Sequence, residues 1–320
     1  MSEHDRVWRE LCANAELFRI DREEFSRLEE AFRTWDVGFF ESCAARALET
    51  DFPLAEVREK LKPGDFEKFL FLCITANYHR AEEICRAHGW PREMLDDIRG
   101  DFRLWVKTGL RDFGFCGLSP RLFEWSAQCL SGEVKQFGRL QCNDIHFFAL
   151  ELSLYRQSDG SVKALPAFQK GNPPHPDLTY RDRAISLHIP ASGPLKPEAC
   201  LDSIRRMCRF SKEFHPDYDL RAVVCYSWLL DPLFQTFLAP DANVVRFQKL
   251  GHLLVCPGSD QTNEVIWRLW GVPGRGKAPS ELPVRSSMER GVVEHLKKGG
   301  RFREGLLVIF RDELEGLESL

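Results

Sequence analysis

The chain has no Cys-x-x-Cys pair and no two cysteines closer than Cys200 and Cys208, although it carries 11 of them. This spacing does not fit a structural zinc site, and the odd count does not suggest a disulfide framework, so reduced and mostly buried thiols are expected, as in cytoplasm. No run of about 18 apolar residues occurs, which leaves no candidate for a membrane-spanning helix. The opening Met1-Ser-Glu-His-Asp-Arg6 leads into a charged amphipathic stretch without an apolar signal core or a small-residue cleavage site, and a cytoplasmic location is the expectation. Also missing is an excess of positive charge. A net charge of −4 provides no general field for a phosphate backbone, so neither a nucleic-acid nor a membrane partner is expected. Internal repeats and low-complexity tracts are absent as well.

Apolar surface, by contrast, is plentiful: 43% hydrophobic residues, 24 Phe and 8 Trp are enough to offset chain entropy and argue for a folded chain. At 320 residues it exceeds the size at which one core usually stays undivided, so two domains are expected. From Val7 to about Gly109 the pattern is helical. Phe25, Leu28, Phe32 and Trp35 fall on one stripe. Asp65 is a candidate cap for a helix with Phe66, Phe69, Leu70, Cys73 and Ile74 on one face, while Arg80, Glu82 and Glu83 read as solvent-facing. Pro91 opens a further helix with Met94, Leu95, Ile98, Phe102 and Trp105 inward. The glycine-rich Gly109–Gly117 breaks this pattern and marks a junction. The expectation is a helical bundle over residues 1–116 and a second domain over 117–320.

After the junction the period changes. Val134–Cys142 and Ile145–Tyr155 are β-rich, Asp159-Gly160 signals a turn, and Pro173, Pro174 and Pro176 make a loop. Strands then alternate with helices over Ala184–Ile189, Pro197–Phe214, Ala222–Ser227, Asp231–Leu238, Asn243–Leu250, Asp260–Trp270, Ser286–Lys298 and Leu306–Phe310. Such alternation implies an α+β or mixed α/β layer architecture.

The run Arg183–Phe210 is the likeliest ligand site on residue grounds. Strand alternation puts Ala184, Ser186 and His188 on one face and Ile185, Leu187 and Ile189 on the other. Ser192-Gly193-Pro194 turns the chain, and Pro197 suits a first helical position. A strand, a glycine-containing loop and a helix start offer unpaired amides and the positive end of a helix dipole to a pyrophosphate, although an ordinary connection has the same form. Glu198 in the first helical turn already answers part of that dipole. If the strand Ala222–Ser227 runs parallel beside Ala184–Ile189, then His188, Cys225, Tyr226 and Ser227 lie near one sheet end, where open α/β sheets bind ligands.

At Leu187-His-Ile-Pro-Ala-Ser-Gly-Pro-Leu195, Cys225-Tyr-Ser-Trp-Leu-Leu-Asp-Pro232, Asn243-Val-Val-Arg-Phe-Gln248 and Leu282–Gly300 the sequence resembles bacterial acyltransferase-domain proteins. These have a helical N-terminal domain and a C-terminal domain of the general N-acetyltransferase (GNAT) type. Asp97-Ile-Arg-Gly-Asp-Phe-Arg-Leu-Trp105, Gly117-Leu118 and Phe137-Gly-Arg-Leu-Gln141 are similar too, so that the likeness runs from about Lys62 to Phe310. The resemblance implies a helical bundle followed by a GNAT-like mixed sheet flanked by helices. Acyl-CoA or acetyl-CoA would be the co-substrate, lying between splayed strands Ala184–Ile189 and Ala222–Ser227, with an amine or other small molecule as acceptor. Cofactor contacts would come from Ala191, Ser192, Gly193, Leu195 and Cys225. His188 is the candidate base and Tyr226 the candidate acid, with Ser227 as the substitute. The Gln/Arg-x-x-Gly-x-Gly/Ala signature of that superfamily is absent from this loop. The alternative is therefore a catalytically inactive GNAT-fold protein that binds a metabolite or protein partner in its interdomain cleft.

Two other signals are weaker. Gly271-Val-Pro-Gly-Arg-Gly-Lys277 has the spacing of a nucleotide P-loop, but Ala278 replaces the hydroxyl residue and the flanking pattern reads as helix before and proline after; a basic surface loop is expected. Asp144 and His146 are close together without a third ligand, and no metal is expected.

Overall fold

Residues 2–18, 20, 22–49, 51–100, 120–146, 152–190, 193–256 and 258–318 are described in the computed structural model of the chain. It divides into two compact units, Met1–Gln136 and Phe137–Leu320. The expected junction at Gly109–Gly117 lies outside the described residues, as do Phe102 and Trp105.

The first unit is helical: α1 (Glu3–Phe18), α2 (Arg22–Phe32), α3 (Val37–Ala45), α4 (Leu54–Lys60), α5 (Phe66–Ala76), α6 (Tyr78–Ala87), α7 (residues 92–100) and α8 (Pro120–Ser131). The expected aromatic stripe does pack inward. Phe32 stacks on Trp8 at 5.4 Å and meets Phe40 edge-on at 5.3 Å, and Trp35 lies 5.0 Å from Phe69. Asp36 starts α3 by accepting the Phe39 N–H at 2.6 Å. Asp65 precedes α5 as expected, but its side chain does not cap the helix; it faces the Trp35 indole N–H at 3.4 Å and pairs with Lys68. Nor does α5 have one apolar face. Every residue from Phe69 to Thr75 is buried, because neighbouring helices surround this stretch, a circumstance one helix's periodicity does not reveal. Buried Asn77 ties α5 to the end of α3, donating to Cys73 O at 2.8 Å and Ala44 O at 2.6 Å.

The second unit is built on a six-stranded sheet of β1 (Lys135–Phe137), β2 (Leu140–His146), β5 (Arg183–His188), β6 (Leu220–Ser227), β8 (Gly305–Phe310) and β7 (His252–Val255), in that order across the sheet. β2 runs antiparallel to β5, β5 parallel to β6, and β8 antiparallel to both β6 and β7. A parallel pair needs a crossover, and α9 (Pro197–Phe214) supplies it over the expected residues. A separate hairpin, β3 (Leu152–Arg156) and β4 (Val162–Pro166), turns at Asp159-Gly160, where Asp159 accepts the Ser161 N–H.

That hairpin and Leu178 cover one face of the sheet, sealing Ala184, Ala222, Val224, Leu306, Val308 and Phe310. β8 is buried along its whole length, and each of its large apolar side chains contributes roughly 1.5–3 kcal/mol through burial. Side chains of the alternate set, such as Cys225, face α9, whose Cys200 is close enough to disfavour ionisation of Cys225.

Around this frame lie α10 (Phe234–Phe237), α11 (Asn243–Gln248), α12 (Thr262–Trp270), α13 (Ser287–Lys297) and α14 (Arg311–Glu318). The expected strand over Asn243–Leu250 is helix α11, and the strand falls after it as β7. The β-rich composition of Val244, Val245 and Phe247 is overridden by burial of Val245, Phe247 and Gln248 in this unit. The helix expected from Asp231 starts later, at Phe234, because the Asp231 carboxylate is taken up by the Leu233 and Arg303 N–H groups. Gly271–Pro283 forms two short 3-10 turns after α12, with no strand before it, so the context of a P-loop is lacking. No helix among the described residues is long and apolar enough to cross a membrane.

Candidate active site

The ladders around the central strands end at different heights. β5 and β6 stay paired only as far as Leu187 and Cys225. On its other side β5 continues with β2 to His188, opposite Gln141. β6 likewise continues with β8, through Tyr226 opposite Leu306 to Ser227 opposite Gly305. The parallel ladder thus stops while both antiparallel ladders go on, which leaves a wedge in the hydrogen-bonding pattern in the middle of the sheet, at the end where a sheet of this kind takes ligands.

His188 and Tyr226 line one face of that end, since both are in phase with Ser186 and Val224. His188 is half-buried, and its Nε2 lies 2.8 Å from Asn143 Oδ1 on β2. An amide oxygen only accepts, so the ring proton sits on Nε2 and the lone pair on Nδ1. Burial lowers the His188 pKa to about 4, which keeps the ring neutral at neutral pH. Tyr226 is pushed well above the usual phenol range, first by burial and then by the nearby Cys256 and Glu304, and so it stays a protonated O–H donor.

Cys225 and Ser227 lie on the opposite face. Cys225 is 1% exposed, and burial, with Cys200 and Glu304 adding to it, raises its pKa to about 12. Ser227 Oγ accepts the Leu229 N–H at 3.2 Å and so starts the 3-10 turn Trp228–Leu230.

Of the loop expected to cradle a pyrophosphate, Ala191 and Ser192 lie outside the described residues. Gly193 and Pro194 present their carbonyls to Arg139, at 2.8 and 3.2 Å, and Leu195 is buried. α9 begins at Pro197 without a side-chain cap. Glu198 in its first turn is engaged by Arg246 of α11. Three basic side chains, Arg139, Lys196 and Arg246, therefore stand on or beside the loop and the helix start. Arg139 and Arg246 lie in segments that resemble the family, but that they come to the same loop and helix start becomes apparent only once the chain is folded. The side chain of His146, paired with Asp144 in the metal reading, lies outside what is described, and among the described residues no three His, Cys, Asp or Glu side chains form a possible metal site.

A mixed sheet that opens between two parallel central strands, with a helix starting beside the opening, defines the GNAT class of fold. Residues 134–307 match the model of the GNAT-like C-terminal domain, and the chain belongs to that family. Solved structures share the fold over most of the chain. An acyltransferase in complex with decanoyl-CoA is 20% identical with a TM-score of 0.62, covering 92% of this chain and 85% of that one. A mutant acyltransferase in complex with octanoyl-CoA is 20% identical with a TM-score of 0.63, covering 93% and 87%. An acyltransferase in complex with decanoyl-CoA and teicoplanin is 21% identical with a TM-score of 0.56, covering 96% and 87%. No curated protein matches the sequence.

Proposed function

We propose that the chain is an acyl-CoA-dependent acyltransferase that passes the acyl group to an amine, and that the wedge between β5 and β6 receives the thioester. The parting of the two strands beyond Leu187 and Cys225 is the observation that carries this reading. The family membership and the acyl-CoA held by structures of the same fold support it. The decanoyl and octanoyl chains of those complexes favour a donor longer than acetyl, and the teicoplanin complex favours a bulky acceptor.

In this reading the CoA phosphates lie along Ala191–Leu195 and the uncapped start of α9, with Arg139, Lys196 and Arg246 answering their charge. Amine nitrogen attacks the thioester carbonyl carbon, the C–S bond breaks, and the nitrogen loses a proton while the sulfur gains one. His188 enters neutral and accepts from the nitrogen as C–N bond formation makes its proton acidic, which suits even a weakly basic imidazole. Tyr226 donates to the departing sulfur, and its place on the face of His188 favours it over Ser227, which is occupied in starting a turn.

Isothermal titration with acetyl-CoA, octanoyl-CoA and decanoyl-CoA tests the donor site. Saturable binding of at least one, strongest for the longer chains, is expected; no binding of any would refute the assignment and return the fold to the role of a non-catalytic binding protein.

A further inference from the structure

We infer that Gln248 is a positioning residue that holds the β6 side of the wedge open, acting through the chain at 227–231 and not by touching substrate. The inference rests on the reading of the wedge as the acyl-CoA site. Once β6 leaves β5, its chain enters the 3-10 turn Trp228–Leu230, and carbonyls of the turn and of Asp231 just after it need donors from outside the sheet. Gln248, 1% exposed on α11, supplies them: its Nε2 donates to Leu229 O at 2.7 Å and to Asp231 O at 3.1 Å. The Gln248 Oε1 accepts from Gln235 at 2.8 Å, which fixes the orientation of the amide.

The same turn is drawn toward β8, away from β5. Fully buried Asp231 accepts the Arg303 N–H at 2.7 Å, two residues before β8 begins. Gly305, the first residue of β8, lies so near the turn that a Cβ there would come within 2.0 Å of Leu230 O. Backbone thus rests on backbone, and Gln248 closes the other side of the turn. Through Arg246 the same short helix also reaches Glu198 on α9, so that α11 touches the elements on both sides of the opening. Loss of the Gln248 donor removes the side-chain partner of the Leu229 and Asp231 carbonyls and loosens the end of β6.

The test uses Gln248→Leu in the full chain, which retains bulk and removes the donor, with Gln235→Ala as a milder companion at an exposed position. Amide hydrogen exchange at Tyr226–Asp231 is expected to quicken about tenfold in the first variant and about threefold in the second, with β2 and β5 unchanged. KM for the acyl-CoA that binds best is expected to rise about tenfold in Gln248→Leu while kcat stays within about threefold. Unchanged exchange at 226–231, or a fall in kcat at constant KM, overturns the inference. If Gln248→Leu does not fold, Gln235→Ala decides by the same readouts. A wild type that takes up no acyl-CoA counts against the functional reading, and exchange at 226–231 then upholds or overturns the clasp alone.

Discussion

The helical unit and the sheet unit both bury polar side chains, but they use them differently. In the first, Asn77 and Thr75 serve nearby helix carbonyls, and around them Phe32, Phe40 and Phe69 make a dry aromatic core. In the second, His188, Tyr226, Asp231 and Gln248 all gather at the end where β5 and β6 part. A polar group that satisfies a helix is needed wherever a helix is buried. Four of them at the end of one strand pair, where its sheet pairing stops, are why this end is the candidate site.

Breaking this contrast at its strongest point means removing His188. His188→Ala is expected to lower acyl transfer about 10²–10⁴-fold while acyl-CoA affinity changes by less than about threefold. Steady-state kinetics beside titration would check this, and an equal loss of both would make the histidine structural, like Asn77.

The next effect is on stability. The His188 pKa is lower in the folded chain, about 4, than the 6.5 of an unhindered imidazole, so the unfolded chain binds the extra proton. Its contribution is present in full above pH 6.5, falls as pH drops through the window from 6.5 to about 4, and flattens below. The loss is of the order of ~3 kcal/mol for a mostly buried ring. Chemical denaturation across this window should show a slope that His188→Gln abolishes.

Smallest is the counterpart in the helical unit. Asn77→Ala leaves Ala44 O and Cys73 O without their side-chain donor and should cost about 2 kcal/mol in denaturant unfolding. Acyl-CoA affinity of the folded variant should match that of the wild type. A large loss of affinity would mean that the polar groups of the two units are less separate in role than they look.

Local chemistry made part of this legible in advance. Pro197, the inward stripe from Cys200 and the terminal Phe214 define α9 to the residue, and the strands on either side of it are parallel, the condition on which the sequence reading brought His188 and Tyr226 to one sheet end. The GNAT-like fold followed from the long resemblance. What stayed hidden depends on contacts between distant segments. His188 meets Asn143 only through the antiparallel register of β2, which no spacing encodes. Helix α11 reads as strand because three of its six residues favour strands, whereas its Val245, Phe247 and Gln248 are buried against distant segments. The burial of α5 over Phe69–Thr75 likewise belongs to its neighbours.

The thiol at the end of the pair has one last consequence. Cys225 lies against α9, and burial raises its pKa to about 12, which disfavours it as a carrier of the acyl group. Under the acyltransferase reading proposed above, two half-reactions separated in time then give way to a single transfer. Donor and acceptor would be held at the wedge together, which asks of it room for two molecules at once and not a succession of visitors.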